Sequence, residues 1–233
     1  MTAPIIAVDG PSGSGKSSTS RGVAQRLGLR YVDTGAMYRA MTWWMLQQGI
    51  DVDDAAAVAA RCAEPVIELV DDPARPGVRV DGEDVAVAIR EPAVADAVSR
   101  VSAVPQVRAR LVEAQRALVD AAMSEGTGVV MEGRDIGTVV LPHADLKVFL
   151  TADVEARAAR RALEEELRSG NGSVASAQAN LQSRDALDST RAVSPLQRAD
   201  DAVVIDGTHL SLDEVIDAVL GALPRPDRPP EAT

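Results

Sequence analysis

Residues 5–17 read Ile5-Ile6-Ala7-Val8-Asp9-Gly10-Pro11-Ser12-Gly13-Ser14-Gly15-Lys16-Ser17. The second half fits the pattern G-x-x-x-x-G-K-[ST], and the apolar first half is typical of a buried β-strand. The glycines let backbone N–H groups point at phosphate oxygens, and the helix that Lys16 begins directs its positive dipole end at the same anion. Lys16 would reach the β- and γ-phosphates of a nucleotide, and Ser17 would bind Mg²⁺. The stretch therefore predicts a phosphate-binding loop between a strand and a helix.

The composition predicts one domain that acts on small molecules. The chain has 233 residues, 46% of them hydrophobic, and a net charge of −11, which argues against binding to nucleic-acid polymers or membrane surfaces. Cys62 is the single cysteine in the sequence, so an intramolecular disulfide is excluded, and His143 and His209 lie far apart. No apolar run approaches the ~18 residues of a membrane span. We expect a monomeric cytoplasmic enzyme.

Five apolar runs alternate with amphipathic stretches long enough to be helices, which predicts an α/β fold. These strand-like runs are Ile5–Asp9, Leu29–Asp33, Gly128–Glu132, Leu146–Leu150 and Ala202–Asp206. The alternation favours a doubly wound, five-stranded parallel sheet between two layers of helices. Ligands bind such sheets beyond the carboxyl ends of the strands.

One segment departs from this alternation. From Glu64 to Val87 the chain has short alternating runs, Val66–Val70, Val78–Val80 and Val85–Val87, separated by turn residues. This pattern predicts a small antiparallel meander inserted into the α/β core.

The C-terminal end has two predicted parts. Ser211-Leu212-Asp213-Glu214 fits a capping box at the start of a final helix that ends near Leu223. Residues 225–233 are rich in proline, and we expect them to be disordered.

Charged residues that suit a second anionic ligand follow the predicted strands. Asp33–Arg39 and Gly133–Gly137 stand at the ends of the second and third runs. If helical, two further sets each share one helix face: Arg157, Arg160 and Arg161, and Arg184, Asp188 and Arg191. The alternative for the arginine sets is a solvated face with surface ion pairs to Glu155, Glu164–Glu166 and Asp185. Charge neutralisation around a transferred phosphoryl group favours a role in binding.

Together these blocks resemble the bacterial cytidylate kinases. The resemblance rests on Asp9–Ser17, Asp33–Arg39, Gly133–Val140 and Arg184–Leu196, in that order, over nearly the whole chain. It implies a P-loop fold of three α/β/α layers over residues 1–224, with a nucleoside-monophosphate-binding insertion at 64–97 and a helical lid at about 155–172. It also implies MgATP-dependent phosphorylation of CMP and dCMP. Thr34 stands where family members often have serine and Ser17 where several have glycine, so a hydroxyl is kept or added.

The resemblance assigns roles by position. ATP and Mg²⁺ would be held by Gly10, Ser12, Gly13, Ser14, Gly15, Lys16, Ser17 and Ser18, with Ser17 as the metal ligand. Arg157 and Arg161 would belong to the lid, and Lys16, Arg134, Arg157, Arg161 and Arg191 would form the catalytic set. The CMP-binding set would be Thr34, Tyr38, Arg39, Ser99, Arg108, Arg134, Asp135, Arg184, Asp188 and Arg191. In this set Tyr38, Arg39, Arg134 and Arg191 would surround the acceptor phosphate, and Arg184 and Asp188 would hold the sugar.

Ser99, Arg108 and Asp135 would read the base. Cytosine offers a 4-amino donor beside two acceptors, which one carboxylate with hydroxyl and guanidinium donors would match. An alternative role for Asp135 is to anchor Arg134 or to lie near Mg²⁺.

Two other classes also begin with such a loop. One is a P-loop kinase that acts on another nucleotide or on a metabolite alcohol. The other is a GTP-binding switch, which predicts an N-K-x-D signature after a strand. The second lysine of the chain, Lys147, lies in Leu146-Lys147-Val148 and does not fit that signature.

Overall fold

The computed structural model describes the backbone of residues 3–170, 172–191 and 193–224, and their side chains except at Arg168, Ser169 and Arg184. The segment 225–233, for which the sequence predicts disorder, lies outside the described residues.

Five parallel strands form the main sheet: β1 Ile5–Asp9, β2 Arg30–Asp33, β6 Val129–Gly133, β7 Leu146–Thr151 and β8 Val203–Asp206. Their order is β2-β6-β1-β7-β8, so β1 lies at the centre. Each predicted run is a strand whose ends differ by no more than one residue from the prediction. Asp9 at the end of β1 pairs in register with Gly133 at the end of β6.

Helices cover both faces of this sheet, as the alternation predicts. They are α1 Lys16–Leu27, α2 Thr34–Gln47, α3 Ala55–Arg61, α4 Pro92–Ala103, α5 Pro105–Ser124, α6 Val154–Ser169, α7 Val174–Thr190 and α8 Leu212–Gly221. Gly28 ends α1 with φ 66°, a left-handed conformation that favours glycine. At α8 the predicted capping box between Ser211 and Glu214 is present in both directions.

Side chains of β1 alternate between two cores, because successive residues of a strand point to opposite faces. Ile6 and Val8 pack with α1 and α8 on one face. Ala7 packs on the other face with Val119 of α5 and Met131 of β6. Both faces of the sheet are therefore buried, as expected for a parallel sheet.

The insertion is a three-stranded antiparallel sheet of β3 Ile67–Val70, β4 Gly77–Val80 and β5 Glu83–Asp84. The prediction of a third strand at Val85–Val87 is wrong. Asp81 and Gly82 have φ of 51° and 84°, and this tight turn pairs Val80 directly with Glu83. The strand therefore starts earlier than predicted. It ends at Asp84, whose carboxylate accepts a hydrogen bond from the Ala86 backbone, and the chain then enters a 3-10 turn, Ala88–Arg90.

The insertion packs against α2. Met37, Met41 and Met45 of this helix share a core cluster with Val78 and Val80 of β4. Since α2 begins at the end of β2, this packing places the insertion beside the carboxyl ends of the strands. Within the described residues, no helix is long and apolar enough to cross a membrane.

Candidate active site

Three neighbouring strands end at the candidate site. β1 leads into the phosphate-binding loop, β2 leads into α2, and β6 leads into a π-helical turn, Ile136–Val140. Because these strands are parallel neighbours, their carboxyl ends lie together. A cavity of about 430 Å³ opens there and is lined by residues from all three connections and from the insertion.

The phosphate-binding loop has the backbone conformation that its glycines predict. Gly13 and Gly15 have φ of 75° and 94°, in the left-handed region that favours glycine. Gly15 is the N-cap of α1 and has no side chain to accept hydrogen bonds from the first-turn N–H groups. Those donors fit the oxygens of a phosphate. Ser17 lies exposed in the cavity lining, and its side chain is within hydrogen-bonding reach of Tyr31 and Glu132.

Lys16 is buried and lines the cavity. Its Nζ donates a hydrogen bond to the Pro11 carbonyl at 2.7 Å. Burial is the main cause that lowers the pKa of Lys16 to about 7, and the charge of Arg134 lowers it further. A bound phosphate would add negative charge beside this desolvated group, to that of Glu132, Asp9 and Asp188, so Lys16 fits the predicted polyphosphate.

Three arginines line the cavity beside two carboxylates. Arg39 pairs with Asp33 at 2.9 Å, and Arg134 pairs through Nε with Asp188 at 3.0 Å. Arg191 lies 3.8 Å from the other oxygen of Asp188. These three arginines come from α2, from the segment after β6 and from the end of α7, so the fold collects positive charge from separate parts of the chain.

Several guanidinium groups keep a free donor. Among the described residues, the buried Nε atoms of Arg39, Arg108 and Arg191 have no hydrogen-bond partner. Burial also lowers the pKa of Arg191. A buried donor without a partner costs about 1–3 kcal/mol, so this part of the cavity fits a ligand rich in acceptors, such as a phosphate monoester.

Arg108 and Asp135 form a buried ion pair in the same cavity. Their side chains are only 4% and 6% exposed. Arg108 also lies over the ring of Tyr38, 5.4 Å from its centroid, a cation–π arrangement. The alternative in which Asp135 anchors Arg134 is not what the structure has, because Arg134 pairs with Asp188.

The three arginines predicted to share a face of α6 point to different partners. Arg161 lines the cavity and pairs with Glu164 and Glu165. Arg160 donates to the Gly207 carbonyl. Arg157 is buried against the phosphate-binding loop, whose Ser12 carbonyl accepts from it at 2.9 Å.

Comparisons with known proteins show which family the chain belongs to. The sequence model of the cytidylate kinase family matches residues 6–225 of the chain. The chain is 55% identical to a cytidylate kinase of Streptomyces avermitilis, over 94% of this chain and 92% of that protein. It is 57% identical to a cytidylate kinase of Streptomyces coelicolor, over 94% and 93%. This chain belongs to the cytidylate kinase family. A solved structure of a sugar kinase from Janibacter sp. HTCC2649 covers 94% of both chains, with a TM-score of 0.48 and 16% identity.

Membership of the cytidylate kinase family makes this chain a kinase and argues against the GTP-binding switch. Most residues that the sequence singles out for the family's ligands lie together. The cavity lining includes Ser12, Gly13, Gly15, Lys16, Ser17, Ser18, Thr34, Tyr38, Arg39, Ser99, Arg108, Arg134, Asp135, Arg161, Asp188 and Arg191.

Four residues of the predicted cytidylate kinase site differ from this set. Gly10, Ser14 and Arg157 lie outside the lining, and the side chain of Arg184 is not among those described. A Cβ at Gly10 would come 2.0 Å from the Leu150 carbonyl oxygen, so this glycine permits close packing against β7.

Two predicted groups are already engaged within the protein. The Thr34 hydroxyl donates to the Glu132 carbonyl at 2.7 Å. Ser14 Oγ lies 3.5 Å from the Lys16 Nζ. Both side chains are buried, and Thr34 lines the cavity whereas Ser14 does not, so their contacts support the shape of the site.

Sequence reasoning missed a buried pair in this site, Glu132 and Tyr31. The Tyr31 hydroxyl donates to the Glu132 carboxylate, and both residues line the cavity. Burial raises the pKa of Glu132, and the charge of Asp33 raises it further. The position of Glu132 at the end of an apolar run, directly before Gly133, was a signal that could have identified it.

Proposed function

We propose that this member of the cytidylate kinase family transfers the γ-phosphoryl group of ATP to the phosphate of CMP and dCMP, giving CDP and dCDP. Family membership supports the CMP kinase activity. The observation that carries the substrate assignment is the buried Arg108–Asp135 pair, which lines the same cavity as Lys16. One cavity thus offers groups for a polyphosphate and for a polar base.

The base fits through its donor and acceptor pattern. The Asp135 carboxylate would accept from the 4-amino group of cytosine, while Arg108 and Ser99 would donate to its acceptors. Uracil presents O4 in place of the amino group. Two acceptors would then face each other in a desolvated site, at a cost of about 1–3 kcal/mol or ~10–100-fold in specificity.

The phosphate of the acceptor nucleotide fits between Arg39, Arg134 and Arg191. The free Nε donors of Arg39 and Arg191 would each gain an acceptor oxygen. Asp188 orients Arg134 and lies close to Arg191, and it would also hold the sugar. These contacts would bring the acceptor phosphate to the donor phosphates at Lys16.

The transfer itself needs positioning and charge compensation more than a protein nucleophile. An oxygen of the acceptor phosphate would attack the γ-phosphorus of ATP in line with the leaving group. Lys16 and the arginines would neutralise charge that develops on the transferred group. Bound Mg²⁺ would neutralise the β- and γ-phosphates, with the Ser17 hydroxyl as its protein ligand.

Two segments of the chain have separate roles in this proposal. Residues 64–97 would form the nucleoside-monophosphate-binding insertion, and residues from about 155 to 172 would form a lid that closes over ATP. We also propose that the protein is a cytoplasmic monomer. It would act on free nucleotides and not on nucleic-acid polymers, because its net charge of −11 disfavours binding to polyanions.

An ADP-release assay across CMP, dCMP, UMP, AMP and shikimate tests the proposal. We expect the highest kcat/KM for CMP and dCMP, with UMP lower by about 10–100-fold for the reason given above. Faster turnover of AMP or shikimate than of CMP would contradict it.

A further inference from the structure

The turn that carries Asp135 has unusual capping. Asp135 stands at the N-cap of the π-helical turn Ile136–Val140. The first N–H groups of such a turn lack acceptors within it, and an N-cap aspartate normally accepts from them through its own carboxylate. Asp135 makes no such capping hydrogen bond. Its carboxylate faces Arg108 instead.

A second carboxylate caps this turn from another strand. Asp9, the last residue of β1, accepts from the Ile136 N–H at 2.8 Å through Oδ1 and from the Gly137 N–H at 2.7 Å through Oδ2. Asp9 is only 5% exposed. Both of its oxygens therefore serve the two amides that Asp135 leaves without a cap.

Capping the turn in this way places the Asp9 carboxylate in the protein interior, where a charged group is disfavoured. Burial raises the pKa of Asp9 to about 6, and the two amide hydrogen bonds oppose that rise. The nearby charges act in opposite directions, since Asp135 raises this pKa further and Lys16 lowers it. A buried carboxylate in this position indicates that the two amides need an acceptor.

We propose that Asp9 is a positioning residue for base recognition: it caps the turn in place of Asp135 and so leaves the Asp135 carboxylate to Arg108 and the substrate base. Without Asp9, the amides of Ile136 and Gly137 have no acceptor, and Asp135 is the adjacent carboxylate that can turn back to them. The inference rests on the proposed reading of cytosine by Asp135.

Two variants of Asp9 test the proposal through the ratio of kcat/KM for CMP to kcat/KM for UMP. Asp9→Ala removes both acceptors, and we expect the ratio to fall about tenfold, the effect of losing one well-placed buried hydrogen bond. Asp9→Asn keeps the side-chain size and one acceptor oxygen, so it should fold readily and give an intermediate ratio. Equal losses for both substrates, with the ratio unchanged, would overturn the proposal.

Glu132→Gln is the matched control. Glu132 is a buried carboxylate at the end of the neighbouring strand, and its side chain accepts from Tyr31 rather than from the turn. This variant is expected to keep the CMP-to-UMP ratio whatever its effect on turnover. A fall in the ratio as large as that of Asp9→Ala would mean that any buried charge lost at the site has this effect, and would overturn the specific role of Asp9.

Amide hydrogen exchange tests the same contact without substrate. In Asp9→Ala we expect the Ile136 and Gly137 amides to exchange at least about tenfold faster than in the wild type, with Val130 and Met131 of β6 unchanged. Unchanged exchange at Ile136 and Gly137 would overturn the proposal. A wild-type enzyme without preference for CMP would instead count against the proposed function, and the exchange result would still decide whether Asp9 holds the turn.

Discussion

A buried or half-buried carboxylate makes a key contact on the sheet side of the site and another on the side of the helix pair α6–α7, and the two contacts differ. On the sheet side, Asp9 is buried in the sheet and accepts from two backbone amides. On the helix side, Asp185 of α7 accepts from the Ser12 N–H at 3.1 Å and pairs with Arg157, and its side chain is 20% exposed.

The difference lies in what competes for each contact. The Ser12 N–H belongs to the loop that is expected to hold ATP phosphates, so a phosphate oxygen competes with Asp185 for a donor. The partners of Asp9, Ile136 and Gly137, are not in the cavity lining, so a ligand in the cavity does not compete for these amides. We therefore expect the helix pair to move when nucleotides bind and the sheet side to stay in place.

Lys16→Ala should have the largest effect, because it removes the ammonium group that would neutralise negative charge on the transferred phosphoryl group. We expect turnover to fall by at least about 100–1000-fold while the protein stays folded. Steady-state kinetics with CMP and circular dichroism check both points. Lys147→Gln is the control: Lys147 pairs with Asp201 outside the cavity lining, and glutamine keeps much of its stem, so turnover should change by less than about twofold. Near-normal activity of folded Lys16→Ala would contradict the role of the loop.

Binding of ADP together with CMP should separate the two regions by hydrogen exchange. We expect amides of α6 and α7 to exchange about tenfold more slowly in the ternary complex, and amides of β1 and β6 to change much less. Exchange in α6 that does not respond to the nucleotides would count against a lid.

Asp185→Asn should affect only the helix side. Without nucleotide, the loss of the charged contact to Arg157 should speed exchange in α7 by about fivefold, and saturating ADP plus CMP should remove most of that difference. Glu164→Gln serves as its match, because Glu164 is 66% exposed and pairs with Arg161 on its own helix, so little change is expected. If the two substitutions changed amide exchange in α7 equally, Asp185 would have no specific role in holding the helix pair.

A further expected effect concerns the pH dependence of stability and Asp9. Burial raises the pKa of Asp9 from its ordinary 3.8 to about 6 in the folded protein. The folded state therefore binds this proton more tightly than the unfolded chain does. The resulting contribution to stability is fully present below pH 3.8 and is lost as the pH rises through about 6. Urea unfolding at about pH 4 and pH 7 should show the wild type losing about 1–3 kcal/mol relative to Asp9→Asn. A pH-independent difference would contradict the raised pKa.

The sequence predicted the sheet well because local signals agreed there. The run Ile5–Asp9 is apolar and leads into a motif that needs a strand before it, and the structure confirms β1 with those bounds. The meander was harder to place. Asp81 and Gly82 were recognised as a turn, but the two-residue geometry of that turn moved the last strand from Val85–Val87 to Glu83–Asp84.

Contacts between residues far apart in the chain could not be predicted from the sequence. The helical period places Arg157, Arg160 and Arg161 on one face, but it does not tell which of them meets the loop, the Gly207 carbonyl or the cavity. Asp9 appears in the sequence only as the polar end of a strand. Its partners lie more than 120 residues away, and only the pairing of β1 with β6 brings them to it.

The most direct test of the central assignment is the specificity of Asp135→Ala. If Asp135 accepts from the 4-amino group, kcat/KM should fall far more for CMP than for UMP. The CMP-to-UMP ratio of kcat/KM should therefore fall by about tenfold or more. Asp188→Ala is the control, because Asp188 lines the same cavity but pairs with Arg134, so both substrates should lose activity equally. A CMP-to-UMP ratio that Asp135→Ala leaves unchanged would show that Asp135 supports the site without reading the base.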